Sequence, residues 1–515
     1  MAPRKQKNTT GKAARAKQNK EENIINVDLM DFTREQYIDI YAEKTIGDRA
    51  LADYRDGLMP VERRLLWAAY KLGMTPGGKL IKSARLIGET MGKYHPHGDT
   101  SLYGTHVKLT KGMPFSFFAG QGNWGNIKNP KGYAAMRYTE TRITPFAYNT
   151  FCNREYMAVT EMLPNFDGSS VEPFVLPSLV PNILLNGSYG IAVGVTGWLP
   201  SYEYDGVAKL VKKALTGKRV TVNDCVKNLV FKTTNGAIAY QDLDDADVVE
   251  ELKDFYKTGH GSVYFYPDYT YDEDERTVTI DTFCPMKDVN KVVTKLEDDE
   301  RVAAVVDDSD INVKTGSDYV AYTIQLKNNV AKKSVAEVAD EMADMFGVTQ
   351  HFKCNVTERY VYRDEEDEDG VPEVRARFEP CTIPSLIEDW VAWRVDLEAK
   401  VLEYRRGKAQ DKLRELELKH LACLSIDLIA DALKRKDTYE FLSKKLSISL
   451  DEAKFIGTLR VDSLRKLEGN KLKSDINDTK AVIREIKKLE KDPASVVAKQ
   501  LTSLDKIMEA AGEAE

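Results

Sequence analysis

A tyrosine preceded by an arginine, Arg137-Tyr138 within the stretch Ala134 to Glu140, has the residue types needed for nucleophilic attack on a phosphodiester. The phenol must lose its proton, held with a pKa of about 10 when free, and the charge that builds on the phosphate must be met. A guanidinium one residue away supplies fixed positive charge for the second task. The same pair also fits a surface tyrosine beside a helix start. Thr139-Glu140 reads as the beginning of a helix, with Thr144-Pro145 as the alternative N-cap and first helical residue. Either arrangement leaves Tyr138 on an exposed turn.

Two other groups could serve the same chemistry. Tyr94-His95-Pro96-His97-Gly98-Asp99 sets two of the chain's 6 histidines in one rigid turn. No cysteine or third histidine is near in sequence, and His106 falls on another helix. The pair therefore reads as phosphate-contacting or proton-transferring groups rather than metal ligands. Further on, Ile191 sits among Gly187, Gly190 and Gly194. It either anchors its loop in the core or, if exposed, wedges between base steps of a duplex. Gly120-Gln121-Gly122-Asn123-Trp124-Gly125 has dinucleotide-type glycine spacing. However, no buried strand leads into it, and Asn126 to Pro130 cannot open the helix that such a site needs. No nucleotide site is expected on this chain.

Helices at 61–72, with Arg63 and Arg64 near its start, at 82–92 and at 100–110 precede this Gly-rich region. They predict a helix-turn-helix element with a wing, able to set one helix in a DNA groove. Beyond residue 200, Gly261 to Tyr266 and Arg276 to Ile280 alternate as strands do. Leu386 to about Leu433 and Ser463 to Lys491 are long helical runs around a compact helical insertion, which predicts an antiparallel coiled-coil arm. The fold class expected is multidomain α+β.

With 515 residues the chain is too long for one core. No apolar run approaches bilayer length, and the basic N-terminus is not followed by the apolar segment of a signal peptide, so no membrane is expected. Six scattered cysteines, with no CxxC, read as reduced thiols in an intracellular setting. The net charge is −7, yet residues 61–150 hold 13 Lys/Arg against 4 Asp/Glu. The first 20 residues hold seven basic side chains and no acid. A local basic groove follows from that distribution; residues 1–25 are expected to be a disordered basic segment, either an electrostatic arm for DNA or a solubilising tail, while Asp364 to Asp369 reads as a solvated acidic loop.

Taken together these stretches resemble the breakage-reunion subunit of type IIA DNA topoisomerases, the family of gyrase A and its topoisomerase IV counterpart. The matching blocks are Arg55 to Arg64, Lys82-Ser83-Ala84-Arg85, Tyr94 to Asp99, Gly120 to Gly125, Ala134 to Glu140 and Asn186 to Gly194. Weaker echoes lie at Trp393-Arg394 and from Leu459-Arg460 through Leu467-Glu468. In its short length and diverged connecting regions the chain looks most like the medium subunit of T4-type bacteriophage topoisomerases.

The resemblance implies a winged-helix DNA-cleavage domain over 26–200, an α/β tower domain over 201–380, and a coiled coil with a helical C-gate over 381–515. Tyr138 is then the nucleophile that forms a 5′ phosphotyrosyl link, and Arg137 stabilises the transition state. Arg49 and His97 contact the scissile phosphate. His95, Lys82, Arg85 and Lys93 hold backbone nearby, with Arg63 and Arg64 as further DNA-binding candidates and Ile191 as the wedge. The chain itself is expected to hold no metal. Mg²⁺ and ATP belong to a separate Toprim/ATPase subunit, the chain forms a homodimer through the C-gate, and its setting is the cytoplasm of a phage's bacterial host.

The chain departs from the family pattern in three ways. Met59 and Glu62 replace a lysine and a histidine, which predicts a different backbone contact there. Gly104 stands where relatives place an acidic residue that helps hold a quinolone's magnesium-water bridge, which predicts weak quinolone poisoning. No wrapping domain is expected to follow, which favours relaxation and decatenation over negative supercoiling.

Overall fold

A computed structural model describes residues 28–34, 45–312, 317–362, 373–459 and 466–512. The basic arm at 1–25 and the acidic run Asp364–Asp369 lie outside the described residues, as does most of the stretch from Arg460 to Leu467.

A short helix at Leu29–Thr33 and a π-helical turn at Ile46–Ala50 precede three longer helices: α1 (Pro60–Lys71), α2 (Ser83–Lys93) and α3 (Asp99–Lys111). Pro60 opens α1, where its missing N–H is no loss, and the Glu62 carboxylate accepts from the Met59 amide at 3.0 Å. Leu65, Leu66, Leu86, Ile87, Leu102 and Leu109 are buried where these helices meet. A three-stranded antiparallel sheet follows, with β1 (Ile81–Lys82) and β2 (Phe118–Gln121) flanking β3 (Glu140–Ile143). The helix expected from Thr139 is therefore a strand: Thr141 and Ile143 are fully buried, and Thr141 pairs with Ile81 on one side and Gly120 on the other. The alternative start holds instead, with Thr144 accepting from the Ala147 amide and Pro145 opening the helix Pro145–Phe151.

A five-stranded sheet in the order 188–191, 196–199, 348–353, 260–266, 238–239 shares one apolar core with the three helices. That core runs from Ala52 to Phe265 and takes in Phe352, Trp390 and Leu501, so no break in packing marks residue 200 or 380. A second core is separate. It is built by the strands 269–272, 277–280, 322–326 and 302–307 with the helices Val289–Glu297 and Val335–Asp344.

The helix α4 (Ile383–Leu424) begins at the Thr382 cap. It stops at Ser425, short of the expected Leu433, and the chain resumes helix at Ile426–Ala432. The break turns Ile429 and Ala432 back onto Leu418 and Ala422, which form a third small core with Leu442, Ala453 and Ile456. The helix α5 (Lys466–Leu489) returns along α4, since Lys480 pairs with Glu417 at 3.0 Å and Arg406 with Glu490 at 3.2 Å. Rising numbers on one helix meet falling numbers on the other, so the two are antiparallel. Then α6 (Pro493–Gly512) packs back on the main core through Val497, Leu501 and Met508. No helix among the described residues is long and apolar enough to cross a membrane.

Candidate functional site

The turn before β3 is pinned on both sides of Tyr138. The Tyr103 hydroxyl of α3 donates to the Ala134 carbonyl at 2.7 Å and lies 2.9 Å from the Thr139 hydroxyl, itself 2.8 Å from Ser83 Oγ. The first two amides of α2 donate into the same turn, Ser83 to the Thr139 carbonyl and Ala84 to that of Met136. These bonds occupy amide groups that a helix start leaves free. Between the pins the chain closes on itself, Tyr138 N–H to the Ala135 carbonyl at 2.9 Å. Tyr138 projects from this turn with 63% of its surface exposed, and the Arg137 guanidinium lies 4.6 Å from its ring centroid. Lys82 on β1 is next to the turn and pairs with Glu140 at 3.1 Å; Arg85 is exposed on the first turn of α2.

A second group forms at the other end of α2. His95 and His97 stack with centroids 4.1 Å apart. Arg64 of α1 reaches them, its Nη1 3.0 Å from His95 Nδ1, while two bonds of 2.8 and 2.7 Å hold its guanidinium on Glu172. Burial first, then the charges of Arg64, His97 and Arg49, push the His95 imidazole down to about 4. The ring is therefore neutral at pH 7. Because a guanidinium only donates, Nδ1 accepts and Nε2 carries the proton. His97 and Arg49 are exposed beside it. Arg49 is brought in by close backbone packing: a Cβ on Gly190 would sit 1.8 Å from the Ala50 carbonyl oxygen, so only glycine lets the 188–191 strand lie there. That strand ends in Ile191, 62% exposed at the tip of a hairpin turned by Gly194 at φ +74°. Of its two readings, the core anchor is thus excluded. The Tyr138 group and the His95 group stand at opposite ends of α2, an 11-residue helix about 16 Å long.

Three expectations change. Arg63 is not a DNA contact: it is 2% exposed, and its guanidinium closes on the buried Asp56 at 2.6 and 2.9 Å. Arg64 reaches the site but is committed to Glu172 and His95, so it supports a histidine rather than meeting DNA alone. Glu62, where a different backbone contact is expected, is withdrawn from the surface: it is 3% exposed and pairs with Lys108 at 2.9 Å. Lys93 is exposed and held to Glu89 at 2.7 Å. Nothing in the sequence marks Glu172 as a support, since it lies 108 residues from Arg64; Asp56 shares the Arg55 to Arg64 stretch with its partner Arg63. The Gly120–Gly125 run starts inside the strand β2 and passes into a turn, not into a helix. Among the described residues no three His, Cys, Asp or Glu side chains converge as a metal site. The carboxylate nearest Tyr138 in sequence, Glu140, is taken by Lys82, so the local donor set does not fit a divalent ion.

His106 is fully buried between Tyr103, Phe118 and Trp124, with neither ring nitrogen hydrogen-bonded, and burial pushes it down to about 3. Unfolded, His95 and His106 take up protons near 6.5. Between the folded and unfolded values the unfolded chain binds more protons, so their contribution is fully present above about 6.5 and is lost as pH falls. The urea midpoint is expected to drop from pH 6.5 to 4.5, and to drop less steeply in His106→Phe. An equal slope in that variant would refute the assignment.

Known proteins share this arrangement of sequence. The family model for the A subunit of DNA gyrase/topoisomerase IV matches residues 49–505. The chain is 31% identical to the A subunit of DNA topoisomerase 4 from Salmonella typhimurium over 463 residues, 87% of this chain and 57% of that protein. Identity to the corresponding protein of Haemophilus influenzae is 29% over 460 residues, 88% of this chain and 58% of that one. The A subunit of DNA gyrase from Mycolicibacterium smegmatis is 31% identical over 482 residues, 90% of this chain and 54% of that protein. The chain thus spans little more than half the length of these relatives. With a family match across all three helices, the Tyr138 turn and the long helical pair, the chain belongs to the family of DNA gyrase and topoisomerase IV A subunits.

Proposed function

We propose that this chain is the DNA-cleaving subunit of a type IIA topoisomerase, of the kind carried by T4-type phages and working in the host cytoplasm. The observation that carries the reading is Tyr138, held out from a turn pinned at Ala134 and Thr139, with Arg137 against its ring. The phenol oxygen attacks phosphorus, the bond to the 3′ oxygen breaks, and a proton passes to that leaving oxygen. One phosphodiester is exchanged for another, so the reverse step reseals the strand without an energy source. Arg49, His97 and the Nε2–H of neutral His95 hold the backbone, and Lys82 and Arg85 extend the basic surface.

Two copies joined through the third core would cut both strands; exposed Leu424, Leu433 and Leu450 there support such a contact. In this reading 26–200 is a winged-helix cleavage domain, 201–380 a tower and 381–515 a coiled coil with a dimerising end. Mg²⁺ and ATP are assigned to a Toprim/ATPase partner, and no step here is routed through them. The test mixes the chain with that partner, Mg²⁺ and end-labelled plasmid, then traps with detergent. Protein joined to 5′ ends of a double-strand break is expected. A 3′ link would point to recombinase chemistry, and no adduct with an active partner to a catalytically silent DNA-binding relative.

Ile191→Ala is expected to reduce DNA bending and cleavage while leaving salt-dependent affinity within about 3-fold, since phosphate contacts dominate binding. Equal bend angles for mutant and wild type, by energy transfer across a labelled duplex, would defeat the wedge. The quinolone expectation also has structural room for a test. A Cβ on Gly104 meets only the Tyr133 hydroxyl, at 3.8 Å. Gly104→Glu is therefore expected to fold and to raise drug-stimulated cleavage, and an unchanged drug response counts against that role.

A further inference from the structure

The loop that leads into the Tyr138 turn is held at its far end by the second core. Residues 122–133 have no regular structure, yet the loop is tightly organised. Asn126 accepts the amides of Lys128 and Asn129 at 3.0 Å each, and the neck closes where Ala134 N–H donates to the Asn123 carbonyl at 2.9 Å. The Asn123 side chain adds a bond to the Gly132 carbonyl at 3.1 Å. At the tip, Ile127 packs on the second core. The Lys128 ammonium pairs with Asp307 and lies 5.3 Å from the Tyr322 ring centroid, and its carbonyl accepts from the Asn290 side chain at 2.7 Å. Asp307 and Tyr322 face each other across paired strands, so the receiving groups sit side by side on one sheet.

A single exposed ion pair is worth little. Here one lysine is held by charge, ring and backbone at once, and only 21% of its side chain is exposed. The path from this dock to the nucleophile is short and bonded throughout. The neck residue Ala134 is the one gripped by Tyr103, and the turn closing on Tyr138 starts at Ala135.

We propose that Lys128 and Asp307 are positioning residues for Tyr138, and that the second unit fixes the loop 123–132 and with it the placement of the phenol. The inference rests on Tyr138 being the nucleophile. Displacing a reacting group by about 1 Å costs on the order of 10²-fold in rate. Lys128→Glu, which places like charge against Asp307, is expected to slow single-turnover cleavage roughly 10- to 100-fold. Affinity for an uncut duplex should hardly change. Adding Asp307→Lys re-forms the pair with reversed charge and should restore the rate. Hydrogen exchange in the peptide 133–138 of the full chain should accelerate in Lys128→Glu and return toward wild type in the double variant.

Wild type that forms the adduct while Lys128→Glu cleaves as fast overturns the proposal alone. Wild type with no adduct overturns the nucleophile reading and the proposal with it. A loss that Asp307→Lys fails to restore, accompanied by weaker binding and unchanged exchange, means that Lys128 meets phosphate directly, and this too overturns the proposal.

Discussion

Tyr138→Phe is expected to abolish covalent attachment to DNA, lowering cleavage by a factor on the order of 10⁴ or more, because it removes the attacking atom itself. The fold should not notice. The residue is 63% exposed, and among the described residues no hydrogen bond reaches its hydroxyl. The turn is held by backbone bonds and by its neighbours Ala134 and Thr139, all of which survive the substitution. Phenylalanine also keeps the ring face against which Arg137 lies. In the proposed reading Arg49, His97, Lys82 and Arg85 hold the backbone, so affinity for an intact duplex should stay within about 2-fold. A detergent-trapped gel and a filter-binding isotherm on the same preparation separate the two effects. A variant that still forms adducts would move the nucleophile elsewhere; one that loses affinity in step with cleavage would make Tyr138 a DNA contact.

How much of this was legible in the sequence depends on the range of the interaction. The helices expected at 61–72, 82–92 and 100–110 form at Pro60–Lys71, Ser83–Lys93 and Asp99–Lys111, because an apolar stripe and its end signals are local. The exposed turn at Tyr138 was legible for the same reason. The strand Glu140–Ile143 was not: Thr139-Glu140 carries a plausible helix start, and tertiary pairing with Ile81-Lys82 and Phe118–Gln121 decides against it. The break at Ser425 carries no local signal, because the apolar pattern continues through it and only packing into the third core turns the chain.

At the site, residue types pointed to phosphate chemistry, but their supports were invisible. Arg64 and Glu172 are 108 residues apart, and Lys128 and Asp307 are 179 apart. Neither period nor motif links such positions. Arg63 shows the reverse error. Next to Arg64 in a basic pair, it reads as surface charge, yet the helix turns it inward onto Asp56.

The largest stability effect is expected where the long helix roots in the unit that carries Tyr138. Arg394 and Glu398, four residues apart on α4, are both fully buried and 3.1 Å apart. Tyr156, from the helix Arg154–Val159, donates to Glu398 and accepts from Gln500 of α6 at 2.7 Å, with the Arg394 guanidinium 4.8 Å from its ring centroid. Burial pushes the Tyr156 phenol up to about 12, so it stays a neutral donor to the carboxylate. Three chain segments therefore meet on one ion pair. Arg394→Leu leaves Glu398 charged in a dry site with a single strong donor, and should cost about 3–5 kcal/mol. Replacing Arg394 and Glu398 together, by leucine and methionine, removes the stranded charge and should recover most of that loss. Urea unfolding of the two single variants and the double gives the coupling directly. Additive losses would mean that the pair is an accident of packing. Strong coupling would mean that this junction resists the separation of the helical arm from the unit that carries Tyr138, so that any motion between them must pivot elsewhere along α4.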